Sequence, residues 1–241
     1  MENRIRHLEN FDIYNTFCSL KLGECAKKNP SKVYHKHDFL FMEDDLCREI
    51  ILIGKGKVKI AQYDKKGSEK VIAFLGKGEI LGHLALLGEP RHRTFAEVMQ
   101  DGTQVFKMDI RKARELTRDF VPFAQAMNRR ISGHVLKLER RIEILLCKSI
   151  KLRLVKFLKG LAEDRGRPRN GGIWISYSLT QSEIAALLGT TRKSASLMLN
   201  ELAHNGLIEF DRKHIFIFNP YQLNRMMVQQ ETLYTPVHAS T

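Results

Sequence analysis

The residues with the clearest chemical use are Arg192 and Lys193, which open a predicted helix beside two small polar residues, Ser194 and Ser196. A guanidinium fork donates two hydrogen bonds to O6 and N7 of guanine, whereas a lysine ammonium binds guanine or a phosphate. A cationic helix start of this kind is suited to contacting base edges in the major groove of DNA.

The elements around these residues predict a helix, a short turn and a second helix. Thr180 and Glu183 have the spacing of a capping box, which predicts a first helix starting at the next residue. Gly189 predicts the end of that helix, and either Thr190 or Thr191 predicts the cap of the second. Two short strands around an Asp211 turn follow, so the pattern is that of a winged helix-turn-helix.

A long helix is predicted upstream, over residues 121–147. Five apolar residues repeat along it with spacings of four, three, four and three: Ile131, Val135, Leu138, Ile142 and Leu145. This repeat is typical of two helices packed along their length, so it predicts a homodimer. The alternative is a helix that lies on its own β-domain. Residues 149–162 predict a further helix, and residues 163–172 predict a polar loop.

The first half of the chain has a different pattern. Between residues 32 and 109, short β-rich runs alternate with glycine-containing turns, which predicts a β-barrel or β-roll.

The chain has 241 residues and a formal net charge of +13, with the basic excess concentrated in its second half. Residues 121–241 carry 18 basic and 9 acidic side chains, against 22 and 18 in residues 1–120. This charge favours a polyanionic partner. A hydrophobic content of 43% is ordinary for a globular protein and excludes global disorder.

Several classes of protein are disfavoured. The sequence has no Ser/His/Asp motif, paired-carboxylate spacing or phosphate-loop pattern, so we expect no enzyme. The apolar runs are too short for a membrane helix and residues 1–10 have no apolar signal core, so we expect a cytoplasmic protein without a membrane partner. The four cysteines, Cys18, Cys25, Cys47 and Cys147, are expected to be free thiols.

In their order, these elements resemble the CRP/FNR family of bacterial transcription regulators. The resemblance covers about residues 32–218 and includes the long helix and the stretch Leu-Thr-Gln-Ser-Glu-Ile-Ala-Ala-Leu-Leu-Gly-Thr-Thr-Arg-Lys-Ser-Ala-Ser at residues 179–196. It also includes glycines at the corners of the strands: Gly54, Gly56, Gly67, Gly76, Gly78 and Gly82.

The family implies an α+β chain with an N-terminal β-roll (a double-stranded β-helix, cyclic-nucleotide-binding-like), a long dimerisation helix and a C-terminal winged helix-turn-helix. We therefore expect a β-roll effector-sensing domain at 1–120, the dimerisation helix at 121–147, the DNA-binding domain at 148–220 and a tail at 221–241.

The family's phosphate-binding cassette begins at Gly82. In members that bind cyclic nucleotides, a Gly-Glu pair holds the ribose and an Arg-Ser/Thr pair holds the phosphate. Arg93 and Thr94 match the second pair, but His83 replaces the glutamate, so the carboxylate that accepts from a ribose hydroxyl is missing.

The long helix also departs from the cAMP receptor. Leu138 and Glu139 fall where that receptor has the Thr-Ser pair that meets adenine, and Leu138 offers no hydrogen bond. We therefore expect an effector other than cAMP.

A small organic anion fits the cassette best, because the guanidinium of Arg93 suits a carboxylate as well as a phosphate. The family includes sensors of organic acids. The alternative is that Arg93 is an ordinary surface arginine. The expected effector-binding residues are Gly82, His83, Leu84, Arg93, Thr94, Val135, Leu138 and Glu139.

The family's other sensing chemistries are disfavoured. An iron–sulfur cluster needs four converging thiolates, and no cysteines here form Cys-x-x-Cys. Haem-containing members place a histidine ligand near His83 or Leu84, but a lone histidine is a weak signal. A redox switch through a cysteine pair stays open. His35 and His37 lack a third ligand, so no metal site is predicted.

By alignment to the family, the base-facing and phosphate-facing positions of the recognition helix are Arg192, Lys193, Ser194 and Leu197. Many members have Glu or Gln at the place of Lys193, and the cAMP receptor has an arginine at the place of Leu197, so we expect a different operator. Contacts with the DNA backbone are expected from Thr180, Gln181, Thr191, Ser196, Arg212, Lys213 and His214.

A dimer would bind a palindromic double-stranded operator with half-sites about 34–36 Å apart, and RNA polymerase is an expected partner. The rival class is a module that uses the basic half of the chain to bind RNA or a membrane surface. Salt-dependent binding without sequence preference would favour that rival.

Overall fold

The structure is a computed structural model that describes residues 31–176, 179–211, 213–223 and 225–226. The chain divides into two compact units, and the division falls inside one long helix, between Val135 and Leu136. The part of that helix from Leu136 onward therefore groups with the second unit, whereas the sequence predicted a boundary at residue 147.

The described part of the first unit consists of short strands followed by helices. In chain order these are β1 (Lys32–Tyr34), β2 (Phe39–Phe41), β3 (Glu49–Lys55), β4 (Val58–Tyr63), β5 (Glu69–Leu75), β6 (Ile80–Leu81), a 3-10 turn (His83–Leu87), β7 (Phe95–Val98), β8 (Thr103–Asp109), α1 (Ile110–Asp119) and the start of α2 (Val121–Leu146). Among the described residues, the strands form two antiparallel sheets, with the orders β1-β8-β3-β6 and β2-β7-β4-β5.

The strand β3 is buried on both of its faces. Ile51 and Ile53 belong to an apolar cluster that includes residues of β4, β7 and β8, so this cluster joins the two sheets. Ile50 and Leu52 belong to a second cluster, which includes residues of α1 and of the first turns of α2. Burial on both faces explains why this strand is an unbroken apolar run rather than an alternating one.

In the second unit, three helices pack on a small sheet. Its elements after α2 are α3 (Ile150–Arg165), β9 (Gly166–Arg169), β10 (Gly172–Ser176), α4 (Gln181–Leu188), α5 (Arg192–His204), β11 (Ile208–Phe210) and β12 (His214–Ile217). The sheet has the order β11-β12-β10-β9 and is antiparallel. One apolar cluster includes Leu158 of α3, Ile184 of α4, Leu199 of α5 and Ile215 of β12.

The predicted polar loop over residues 163–172 is wrong. The helix α3 continues to Arg165, and the next four residues form β9, which pairs with β10. Asn170 and Gly171 join the two strands with φ values of 45° and 77°. Positive φ at both central residues is the geometry of a tight hairpin turn, and Asn-Gly is the sequence that such a turn prefers.

The start of α4 is capped as the sequence predicts. The Oγ1 atom of Thr180 accepts a hydrogen bond from the Glu183 N–H at 3.2 Å, and the Glu183 carboxylate accepts one from the Thr180 N–H at 2.6 Å. These two bonds satisfy backbone N–H groups that a helix start otherwise leaves unpaired.

We expect Thr180→Ala to lower the free energy of unfolding of the second unit by about 1 kcal/mol, because it removes the hydrogen bond from the Glu183 N–H to the Thr180 hydroxyl. Urea unfolding followed by the fluorescence of Trp174, the only tryptophan in the chain, measures this unit. Ser182→Ala, an exposed neighbour, is the control. Equal stability of wild type and Thr180→Ala would contradict the prediction.

Candidate nucleic-acid interface and effector cassette

The turn between α4 and α5 is tightly defined by backbone hydrogen bonds. Gly189 ends α4 with a left-handed conformation at φ 63° and ψ 41°. The N–H of Thr190 donates to the carbonyl of Ala185 at 3.0 Å. Thr191 then caps α5, since its Oγ1 accepts from the Ser194 N–H at 3.2 Å. The direction in which α5 leaves the turn is therefore fixed locally.

The first turns of α5 divide into a buried and an exposed face. Ala195 and Leu199 are fully buried in the unit. Arg192 and Lys193 are exposed, as is Leu197, whose exposed fraction is 63%. A helix fixed on one side, with two cations and an apolar side chain free on the other, can enter a major groove and contact base edges and phosphates.

Two further predicted DNA contacts, Ser194 and Ser196, lie on this helix, and two others, Thr180 and Gln181, lie at the start of α4. The Ser194 hydroxyl lies 3.0 Å from that of Thr191, and Ser196 is half-buried. Thr180 is exposed and Gln181 is half-buried.

In the wing, Asp211 accepts from the N–H groups of Lys213 and His214 at 2.6 and 2.7 Å, and these backbone hydrogen bonds lower the pKa of its carboxyl. Lys213 is exposed, whereas the His214 ring lies 4.6 Å from that of Trp174. The predicted contact of Arg212 lies outside the described residues.

The cassette in the first unit begins with a backbone constraint. Gly82 has φ 75°, and a Cβ there would overlap the carbonyl oxygen of Glu49, so only glycine fits between β6 and the 3-10 turn. His83 and Leu84 follow directly, with His83 half-buried and Leu84 47% exposed.

Arg93 already has an anionic partner. Its Nη2 lies 3.0 Å from Oε2 of Glu89, and its Nε lies 3.3 Å from Oε1, so the carboxylate is held by two hydrogen bonds. The side chain of Arg93 is 74% exposed, and Thr94 is half-buried. Glu89 uses the Nε and Nη2 donors of Arg93, so an anion that binds through these donors must displace Glu89.

The sequence did not identify His134 as a neighbour of the cassette. Its ring centroid lies 5.8 Å from that of His83, and the Nδ1 atom of His83 is buried without a hydrogen-bond partner in the described part of the chain. Burial, and secondly the nearby His134, lower the pKa of His83, so this imidazole is neutral at neutral pH. Because the two histidines are far apart in the chain, no local pattern signals their contact.

We expect the first unit to lose stability as the pH falls below about 6.5, the ordinary pKa of histidine, towards the lower pKa of His83 in the folded protein. Because folding lowers the pKa of His83, the unfolded chain binds the proton more readily, and acid favours unfolding. His83→Gln should flatten this pH dependence in urea unfolding followed by circular dichroism. Burial also lowers the pKa of His92, so a weaker dependence of stability on pH should remain in this variant. His35→Gln, at an exposed histidine, is the control. If the free energy of unfolding of His83→Gln changed with pH as steeply as that of the wild type, His83 would not be the group responsible.

The predicted dimer seam lies on α2, and parts of it are exposed. Val135 is 46% exposed and Ile142 is 58% exposed, although both are apolar. Ile131 packs against the apolar cluster under α1 and α2, and Leu138 and Leu145 are half-buried. Leu146, at the end of the helix, is 77% exposed and was not part of the predicted seam. Glu139, predicted to bind effector, is exposed on the same helix.

Two of the four cysteines lie in the described part of the chain. Cys47 and Cys147 are both buried with free thiols, and burial raises the pKa of Cys47 despite an opposing hydrogen bond from the backbone of Ala85. Among the described residues, no three His, Cys, Asp or Glu side chains are placed to hold a metal ion. None of the described helices is both long and apolar enough to cross a membrane.

Comparison with known proteins agrees with this architecture. The family model of the cyclic nucleotide-binding domain matches residues 31–119, and that of the Crp-like helix-turn-helix domain matches residues 152–226. A sensor-type β-roll, a long helix and a winged helix-turn-helix together define a DNA-binding transcription regulator.

The chain belongs to the CRP/FNR family of transcription regulators, and the predicted fold class is confirmed. It is 30% identical over 187 residues to the global nitrogen regulator of Synechococcus elongatus, covering 77% of this chain and 84% of that protein. It is 28% identical to the anaerobic regulatory protein of Bacillus subtilis, covering 81% and 82%. The structure of a CooA variant from Carboxydothermus hydrogenoformans matches with a TM-score of 0.77 and 26% identity, covering 90% of this chain and 96% of that one.

Proposed function

We propose that this regulator is a homodimer that binds a palindromic operator through α5 and responds to a small organic anion. The observation that carries the proposal is the first turn of α5, where Arg192 and Lys193 are exposed on a helix whose other side is fixed in the core. Arg192 would contact guanine, and Lys193 guanine or a phosphate. The expected backbone contacts are Thr180, Gln181, Thr191, Ser196, Arg212, Lys213 and His214.

Dimerisation through α2 would account for two of its exposed apolar side chains. Val135 and Ile142 are seven residues apart, so they occupy equivalent positions in successive heptads. Burial against a second copy removes this apolar surface from water, which stabilises the pair by about 25 cal/mol per Å². Two copies would also present two α5 helices to a two-fold symmetric site. Such a dimer regulates transcription without enzymatic activity, and RNA polymerase is its expected partner.

An organic anion is the effector class that the cassette supports best. His83 is a neutral imidazole where a ribose-binding carboxylate would be needed, which argues against a cyclic nucleotide. Arg93 pairs with the carboxylate of Glu89, and this supports the proposal because a guanidinium that bonds one carboxylate can bond another. The ligand's own carboxylate would replace that of Glu89.

Selection of duplexes from a random-sequence library tests the DNA part of the proposal. Wild-type protein should enrich a palindrome with half-sites separated by about one helical turn, and sedimentation should show a dimer. Enrichment of a single half-site, or of no sequence at all together with steeply salt-dependent binding, would instead support a non-specific polyanion-binding module.

Thermal-shift measurements with cAMP, dicarboxylates and aromatic carboxylates test the effector. We expect a carboxylate to raise the melting temperature, Arg93→Gln to abolish that shift, and cAMP to have no effect. Arg91→Gln is the matched control, because Arg91 is also exposed and donates instead to the backbone carbonyl of Asp44 at 2.6 Å. A shift by cAMP alone, or one that survives Arg93→Gln, would contradict the assignment.

A further inference from the structure

The C-terminal end of α4 is held by two arginines from two different helices. Nη2 of Arg141, on α2, donates to the carbonyl of Ala186 at 3.3 Å. Nη1 of Arg153, on α3, donates to the carbonyl of Leu188 at 3.1 Å, while its Nε donates to the carbonyl of Cys147 at 2.8 Å. Arg153 therefore joins the last turn of α4 to the residue that follows α2.

The chemistry of a helix end explains why arginines occupy these places. The last carbonyls of a helix have no partner within the helix and carry a partial negative charge. A guanidinium has several donors in a fixed plane, so it can bond such carbonyls and place its positive charge beside them. Burial lowers the pKa of Arg141, so this side chain is partly removed from water to make the contact.

The same contacts surround the turn that leads into α5. At Gly189, the position of a Cβ would be 3.0 Å from Cδ2 of Leu145 and 3.6 Å from Nη1 of Arg153. The end of α2 and the side chain of Arg153 thus lie directly against the first residue of the turn. Leu145, predicted as a seam residue, contacts this turn within its own unit.

We propose that Arg141 and Arg153 are positioning residues for operator recognition, which fix the end of α4 and the following turn to the last turns of α2. This inference rests on the proposed function. Arg141 directly precedes Ile142, a residue of the predicted seam. A shift of the last turns of α2 would therefore move the Arg141 guanidinium, and with it the end of α4 and the turn that leads into α5.

Arg140 provides a matched control on the same helix. It is adjacent to Arg141 and carries the same charge, but its Nη1 pairs with Asp164 at 2.6 Å, at the end of α3, and its side chain is 48% exposed. Arg140→Gln and Arg141→Gln therefore remove the same charge from the same turn of α2, and only the second removes a contact with α4.

The experiment compares full-length variants on two duplexes: the palindrome enriched by the wild type, and a scrambled duplex of equal length. Arg141→Gln and Arg153→Gln should each weaken binding of the palindrome about tenfold or more, with less than a twofold change on the scrambled duplex. The slope of log K against log salt should be unchanged, because no phosphate contact is lost. Arg140→Gln should stay within threefold of wild type on both duplexes.

Equal losses on both duplexes, or a loss for Arg140→Gln that matches Arg141→Gln, would overturn the inference while the proposed function stands. Failure of the wild type to enrich any sequence would overturn both. If Arg141→Gln does not fold, as judged by Trp174 fluorescence, Arg141→Lys is measured on the same two duplexes instead. It keeps the charge but not the planar fork, so a loss of three- to tenfold confined to the palindrome supports the inference, and wild-type affinity overturns it.

Discussion

Ile142→Glu is expected to leave this chain monomeric and to weaken its binding to the operator at least about 100-fold. Ile142 is an apolar side chain with 58% exposure on α2, at a position of the predicted dimer seam. In a parallel helix pair it would face its twin, so the substitution places two carboxylates opposite each other in an apolar seam. Each protomer then binds its half-site alone and loses the gain of linked binding, which is on the order of 10²–10⁴.

Leu136→Glu is the matched control for this experiment. Leu136 lies on the same helix with the same 58% exposure, but outside the repeat of four and three. Sedimentation velocity should show a monomer for Ile142→Glu and a dimer for Leu136→Glu. Dissociation of both variants would mean that the interface has a different register, and a dimeric Ile142→Glu would mean that α2 is not the interface.

The parts of the second unit that were predicted correctly depend on local chemistry. The capping box of Thr180 and Glu183 and the left-handed Gly189 are set by hydrogen bonds and steric freedom within a few residues. Such features can be recognised from the types and spacing of a few neighbouring residues. The bounds of α4 and the start of α5 follow from them, and so does the exposure of Arg192.

The strand β9 shows why a neighbouring segment was missed. Its residues Arg167, Pro168 and Arg169 have a polar composition, and the strand exists because it pairs with β10 at the edge of the sheet. Proline is tolerated on such an edge. The Asn170-Gly171 pair was the available signal for a hairpin, but the charged residues around it were interpreted as a loop.

Contacts between distant segments could not be predicted from the sequence. His134 lies beside His83, and Arg141 bonds the end of α4, because separate helices pack against other elements of their own units. Neither pair has a spacing that any local rule recognises. The Glu89–Arg93 pair is a different case, since its four-residue spacing was visible but the sequence does not reveal which partner an arginine near a turn prefers.

Arg192→Ala should remove a base contact from each half-site, and it therefore separates recognition of sequence from attraction to charge. Each lost contact costs about 1–3 kcal/mol, so a dimer with two half-sites should lose at least about 30-fold in affinity for its selected palindrome. Discrimination should fall at one base position in each half-site, as measured by titration against all four base pairs there.

A purely electrostatic role for Arg192 would give a different result, namely equal weakening on every sequence and a shallower salt dependence. Arg167→Ala, which removes an exposed arginine from β9 in the same unit, serves as the control for charge alone and should leave base discrimination intact. Loss of discrimination at one position for Arg192→Ala, together with its retention in Arg167→Ala, is the outcome expected only if the first turn of α5 contacts the bases. Equal behaviour of the two variants would refute this role for α5.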